Sequence, residues 1–140
     1  MPDATKSAFD SDGYFKTGDI GFFDPELKSY RILGRKSIDI IKSGGYKISA
    51  VEIERVLQSH PDILECAVLG ITDKTWGQVV TAIIVPKMQA HNLSLKTIRE
   101  FCSTNLPKYS LPKIVHIRET LFSRTAVGKI DKKSLSKEYS

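Results

Sequence analysis

The chain has 140 residues, 41% of them apolar, which suits one ordinary globular domain with a real core and no more. Its formal net charge is +5, and much of the basic excess falls late, at Lys108, Lys113, Arg118, Arg124, Lys129, Lys132, Lys133 and Lys137. No run reaches transmembrane length, the stretch MPDATKSAFDSDGYF has neither an apolar signal core nor an arginine-rich presequence, and Cys66 and Cys102 form no CxxC pair of the kind a zinc knuckle needs.

Taken in chain order, residues 1–13 are polar and read as loose. Gly21–Asp24 and Ser29–Leu33 read as short strands of a hairpin closed by Asp24-Pro25-Glu26-Leu27-Lys28. Ile38, Ile40 and Ile41 suggest an apolar strand, stopped by Gly44-Gly45, a pair that supplies positive φ or a close backbone approach. Ser49-Ala50-Val51-Glu52 spells a capping box, with Ile48 and Ile53 placed for a hydrophobic staple. The helix it opens has Ile53, Val56 and Leu57 on one face and ends at Pro61; on this reading Glu54 lies on its surface. Ile63–Ile71 and Gln78–Val85 are Val- and Ile-rich strands. Ser94 caps a second helix, with Leu95, Ile98 and Phe101 or Cys102 inward. Lys113–Arg118 is a further short strand, and Asp131 caps a last helix that packs through Leu135 and Tyr139. The fold class is therefore α/β (α+β): a small mixed domain whose short central sheet is flanked by about three helices and preceded by a β-hairpin.

The stretch SRTAVGKIDKK sets Lys129 in a Gly-Lys-Ile turn just before that last helix. It is not a phosphate-binding P-loop, because Ser123 stands where the first glycine belongs and Ile130 where Ser or Thr should follow the lysine. On composition alone Lys129 is an ordinary surface lysine. Taken together, however, YFKTGD at 14–19, GRKSIDIIKSGGYKISAVEIE at 34–54 and SRTAVGKIDKK at 123–133 resemble, in order and over nearly the whole chain, the AMP-forming adenylate ligases. That superfamily includes acyl-CoA synthetases, luciferases and the adenylation domains of peptide synthetases.

The resemblance implies that residues 1–34 are the tail of a large N-terminal adenylation domain and that residues 35–140 are its C-terminal lid. The implied substrates are ATP with Mg2+ (the metal held mainly through the absent domain), a small carboxylic acid and coenzyme A. The implied partner is the missing large domain of the same enzyme, without which the fragment is expected to be inactive. Lys129 matches the family's catalytic lysine, which meets both carboxylate and phosphate as two anions are brought together. Asp19 matches the ribose-binding aspartate, and Arg35 an arginine near the nucleotide. Gly45, with Gly44, matches a loop lining the passage for the pantetheine arm, and Lys47 is a phosphate contact by the same likeness. The family hinge falls just after the Gly-Arg pair; here one extra residue leaves Ser37 and Ile38 both open as the pivot. SIDIIKSGGYKISAVEIE and DKTWGQVVTAIIV look similar to malonyl-CoA synthetases, some of them linked to methylmalonate. Those relatives include mitochondrial enzymes, so the matrix is the implied location, with the cytoplasm as the alternative.

Trp76 admits two readings, a stacking surface for the adenine of coenzyme A and a hydrophobic plug over the sheet, and the plug is preferred. The basic charge admits a nucleic-acid reading, but no interleaved aromatics or reading motif accompany it. No metal site is argued from His60, His91 and His116. The alternatives kept open are another acyl-CoA synthetase, a carrier-loading adenylation enzyme, and a non-catalytic interaction module with the lid fold.

Overall fold

The computed structural model describes residues 2–140. In chain order its elements are α1 (Pro2–Ser7), β1 (Asp19–Asp24), β2 (Ser29–Arg35), β3 (Ile40–Ser43), β4 (Tyr46–Ser49), α2 (Ala50–Gln58), β5 (Ile63–Asp73), β6 (Gly77–Pro86), α3 (Leu95–Ser103), β7 (Ile114–Ile117) and α4 (Lys132–Tyr139). β1 and β2 form a separate antiparallel hairpin. The other five strands form one sheet in which β6 is the hub. β5 pairs antiparallel along its length, from Ile63↔Pro86 to Asp73↔Gly77. The opposite edge is shared by β3, at Ser43↔Gly77, and parallel β7, from Thr81↔Ile114 to Ile84↔Ile117.

The long apolar runs of β5 and β6 follow from burial on both faces, as a covered central strand requires. Alternate residues go to opposite sides. Cys66, Val68, Val80, Ala82 and Ile84 pack with Ile53 and Leu57 of α2 and Ile98 and Cys102 of α3. Ala67, Leu69, Ile83 and Val85 pack with Phe122 and with Leu135 of α4. α4 is thus the cover of one sheet face, and Ile130, just before it, packs there too.

The sheet, the three helices that pack on it and the leading hairpin agree with the sequence reading, and several details do not. Residues 2–7 are helical rather than loose, with Asp3 favourably placed in the first turn; the rest of that expectation includes Met1, which lies outside the described residues. Ile38 belongs to a turn and is half-exposed, so β3 starts at Ile40. The chain after Gly45 makes a further strand, β4, not foreseen. Ser49 caps α2 by accepting from the Glu52 N–H, but the Glu52 carboxylate turns to Arg31 at 3.3 Å, leaving the capping box half-made. The reciprocal box forms instead at Ser94 and Thr97 on α3. Leu95 is 40% exposed and not part of the core.

Candidate functional site

Four turns display the residues singled out from the sequence. At the start of β1, the Asp19 carboxylate meets Arg35 Nε at 3.0 Å, across the first rung of the hairpin. Arg35 Nη1 also donates to the Thr17 carbonyl. Both side chains keep a solvent-facing share, 29% for Asp19 and 57% for Arg35. The pair is therefore a small acid–base lip, open to solvent.

From Arg35 the chain enters a tight turn. Asp39 N–H donates to the Arg35 carbonyl at 2.8 Å, while Asp39 Oδ2 accepts from the Arg35 N–H at 2.9 Å. Ser37 and Ile38, the two hinge candidates, are exposed inside this loop, as is Lys36. Gly34 is obligatory beside it. Its φ is +132°, and a Cβ there would lie 2.5 Å from Asp39 Cβ.

Gly44 and Gly45 make the β3–β4 turn, with φ of +56° and +85°. They differ in surroundings. A Cβ on Gly44 would strike the Trp76 ring at 2.9 Å, whereas one on Gly45 would meet nothing within 4 Å. Trp76 is not a plug over the sheet. It is 48% exposed, with Lys113 Nζ 3.2 Å from its ring centroid, a close cation–π contact. Tyr46 and Tyr109 stack nearby with centroids 4.1 Å apart and planes 5° from parallel. Gly44, Trp76, Tyr46, Tyr109, Arg99, Lys108 and Lys113 line a cleft of about 410 Å³. This aromatic and cationic grouping escaped the sequence reading, because four separated segments supply it; the lone Trp-Gly dipeptide was its one signal. Lys47 is exposed on β4; it lines a separate, small recess with Glu52 and Tyr109.

The terminal motif folds as a small hairpin. Arg124 and Ile130 bridge, Thr125 N–H donates to the Lys129 carbonyl at 2.7 Å, and Asp131 N–H donates to the Ser123 carbonyl at 2.9 Å. Gly128, φ +84°, supplies the left-handed residue of the turn. Arg124 pairs with Glu65 of β5, and Lys132, past the turn, meets Asp39 Oδ1 at 2.8 Å and Glu54 Oε1 at 2.6 Å. Lys129 itself is exposed, just past the turn at 126–128 that forms the tip. Glu54 is thus not a surface residue: it is largely buried between Lys132 and the Val68 N–H, which donates to Oε1 at 2.9 Å. Burial raises the Glu54 pKa against the pull of Lys132. Burial alone would lower that of Lys132, but the Glu54 and Asp39 carboxylates outweigh it and hold the ammonium above the ordinary lysine value.

The structure joins Asp19 to Arg35 and, through Asp39, the Arg35 backbone to Lys132. Lys129, the Gly44–Gly45 turn and Lys47 remain separate exposed features. Among the described residues no three His, Cys, Asp or Glu side chains gather as a metal site, and no helix is long and apolar enough to cross a membrane.

Residues 52–129 match the family described as AMP-binding enzyme C-terminal domain. A malonate–CoA ligase from Arabidopsis thaliana is 47% identical over 98% of this chain, and a mitochondrial malonate–CoA ligase from Bos taurus 44% identical over 98%. The chain spans only 24% and 23% of those two proteins, about a quarter of their length. Among solved structures, ATP-bound MatB from Rhodopseudomonas palustris superposes with a TM-score of 0.86 at 32% identity, covering 99% of this chain and 27% of that one.

Proposed function

This chain belongs to the family of AMP-binding enzyme C-terminal domains, and from that premise we propose that it is the lid of an ATP-dependent acid–thiol ligase, with residues 1–34 the tail of the large domain and 35–140 the lid proper. The whole enzyme would act in two steps. A substrate carboxylate attacks the α-phosphate of ATP, a P–O bond to the leaving group breaks, and pyrophosphate departs, leaving an acyl-adenylate. The thiol of coenzyme A then attacks the acyl carbonyl, loses its proton, and expels AMP to give the thioester.

Lys129 is assigned to the first step. The observation that carries this reading is the presentation of its ammonium: exposed, just past the tip of a hairpin fixed on both sides by ion pairs. A positive charge held in place stabilises the charge that develops between carboxylate and phosphate, and it does so more strongly once the closing domain excludes water. Asp19 would accept from the ribose hydroxyls, with the Arg35 guanidinium 3.0 Å away orienting the carboxylate toward the nucleotide. Mg2+ would accompany ATP on groups of the large domain.

The cleft at Gly44 and Trp76 suits the second step. Its aromatic surfaces fit an adenine, Arg99, Lys108 and Lys113 fit phosphates, and the space beside Gly45 leaves room for a narrow thiol arm to pass a closely approaching backbone. The fit makes coenzyme A the acceptor we assign, and Lys47, outside that cleft, an outlying phosphate contact. Similarity to the malonate–CoA ligases makes malonate or methylmalonate the acid of choice and the mitochondrial matrix the place of choice.

The test separates the two steps in the full-length enzyme. Lys129→Ala is expected to abolish most ATP- and acid-dependent pyrophosphate release while leaving thioester formation from supplied acyl-adenylate nearly intact. Equal loss in both steps would contradict the assignment.

A further inference from the structure

Lys132 lies three positions after Lys129 in the same motif, yet its environment is the opposite. Its side chain is 11% exposed, and its ammonium is held by Asp39 and Glu54, themselves 15% and 19% exposed. A buried charge pair gives little stability over a well-packed apolar replacement, but it fixes geometry closely, because each group must stay where its partners are.

The two partners come from different parts of the fold. Asp39 closes the hinge turn through its bond to the Arg35 N–H, and Glu54 joins α2 to β5 through the Val68 N–H. Lys132 ties the first turn of α4 to all of them. On its other side the Lys129 hairpin is anchored by Arg124 on Glu65, which also accepts from the Phe122 N–H. The tip is exposed and its flanks are not free to shift.

We propose, resting on the assignment of Lys129 above, that Lys132 is a positioning residue: by joining the hinge turn, α2 and the start of α4 it sets where the Lys129 ammonium arrives when the lid meets the large domain. The hinge turn and the terminal motif then move as one body, and the angle at which Lys129 enters is fixed by Asp39 and Glu54. A displacement of about 1 Å at a reacting group can cost on the order of a hundredfold in rate.

The experiment uses the full-length enzyme with Lys132→Met, Lys132→Arg and the double variant Lys132→Met/Glu54→Gln, the last to limit the uncompensated negative charge left by the methionine. Pyrophosphate release gives kcat and the KM for ATP; thioester formation from supplied acyl-adenylate gives the second step. Lys132→Met and the double variant are expected to lower adenylation kcat by roughly tenfold or more, with the KM for ATP and the thioester step little changed. Lys132→Arg should restore most of the lost kcat, since an arginine fork can span the same two carboxylates. Full adenylation in the double variant, or parallel loss of both steps in step with the amount of folded enzyme, would overturn the proposal. Lys129→Ala alongside separates the claims. Loss at Lys129 without loss at Lys132 overturns this proposal alone, whereas adenylation indifferent to Lys129 overturns the assignment and this proposal with it.

Discussion

The paired strands β5 and β6 and the turns around them obey different rules. From Cys66 to Leu69 and from Val79 to Val85 every residue is buried, most of them to within a few per cent of complete burial. Lys129, Arg35, Gly45 and Trp76 are exposed, on turns set by glycines of positive φ or beside one. The strands hold the fold through area removed from water; the turns hold little of it and present charge and open backbone. The fold is therefore a rigid plate with chemistry at its rim, suited to a part whose working surface is completed by another domain.

If that division is right, substitutions in the plate change stability and those at the rim change rate. Leu57→Ala, at a fully buried site facing the sheet, should cost about 2–5 kcal/mol in urea unfolding of the chain, while enzyme that remains folded keeps its ratio of first-step to second-step rates. Lys129→Ala should lower adenylation by roughly a hundredfold to a thousandfold with an unchanged unfolding midpoint; a shift in that midpoint would erase the contrast between plate and rim. Gly45→Leu should slow thioester formation by about tenfold or more and leave pyrophosphate release nearly intact, with about 1–2 kcal/mol of strain from the left-handed φ visible as a stability loss; equal slowing of both steps would remove the passage role. Trp76→Ala should raise the KM for coenzyme A severalfold, read by thioester formation at varied thiol concentration, the scale of a lost aromatic stacking contact of about 1 kcal/mol.

The smallest effect sharpens the plate side. Burial pushes the Cys66 thiol up to about 12 and the Cys102 thiol up to about 11, from an ordinary 9.0. The unfolded chain would ionise both near 9.0, so unfolding releases protons between that value and the raised ones, and their burial makes stability fall as pH rises through that window. Both thiols should resist alkylation at pH 8 in the native chain and react once it is unfolded, as counted by mass spectrometry.

Much of the plate was legible in the sequence, because its signals are local. The Val- and Ile-rich runs at 63–71 and 78–85, and the caps at Ser49, Ser94 and Asp131, each depend on neighbours a few residues away. The rim motifs were legible as patterns, and their surroundings were not. Glu54 reads as a surface residue because only Lys132, far along the chain, and the Val68 N–H make its burial tolerable. Trp76 reads as a plug because Lys113 and Gly44 are remote in sequence. Glu52 spells a capping box, yet Arg31 offers it an ion pair that the helix start does not. In each case a long-range electrostatic partner overrode a sound local inference.

The central claim is that this rim completes an adenylating site through Lys129. The most direct test follows pyrophosphate release by the full-length enzyme with ATP and a panel of malonate, methylmalonate, acetate and a fatty acid, for wild type and Lys129→Ala. The account predicts release that depends on malonate or methylmalonate and is lost in the variant. Release with every acid unaffected by the substitution, or no release with any acid, would contradict it.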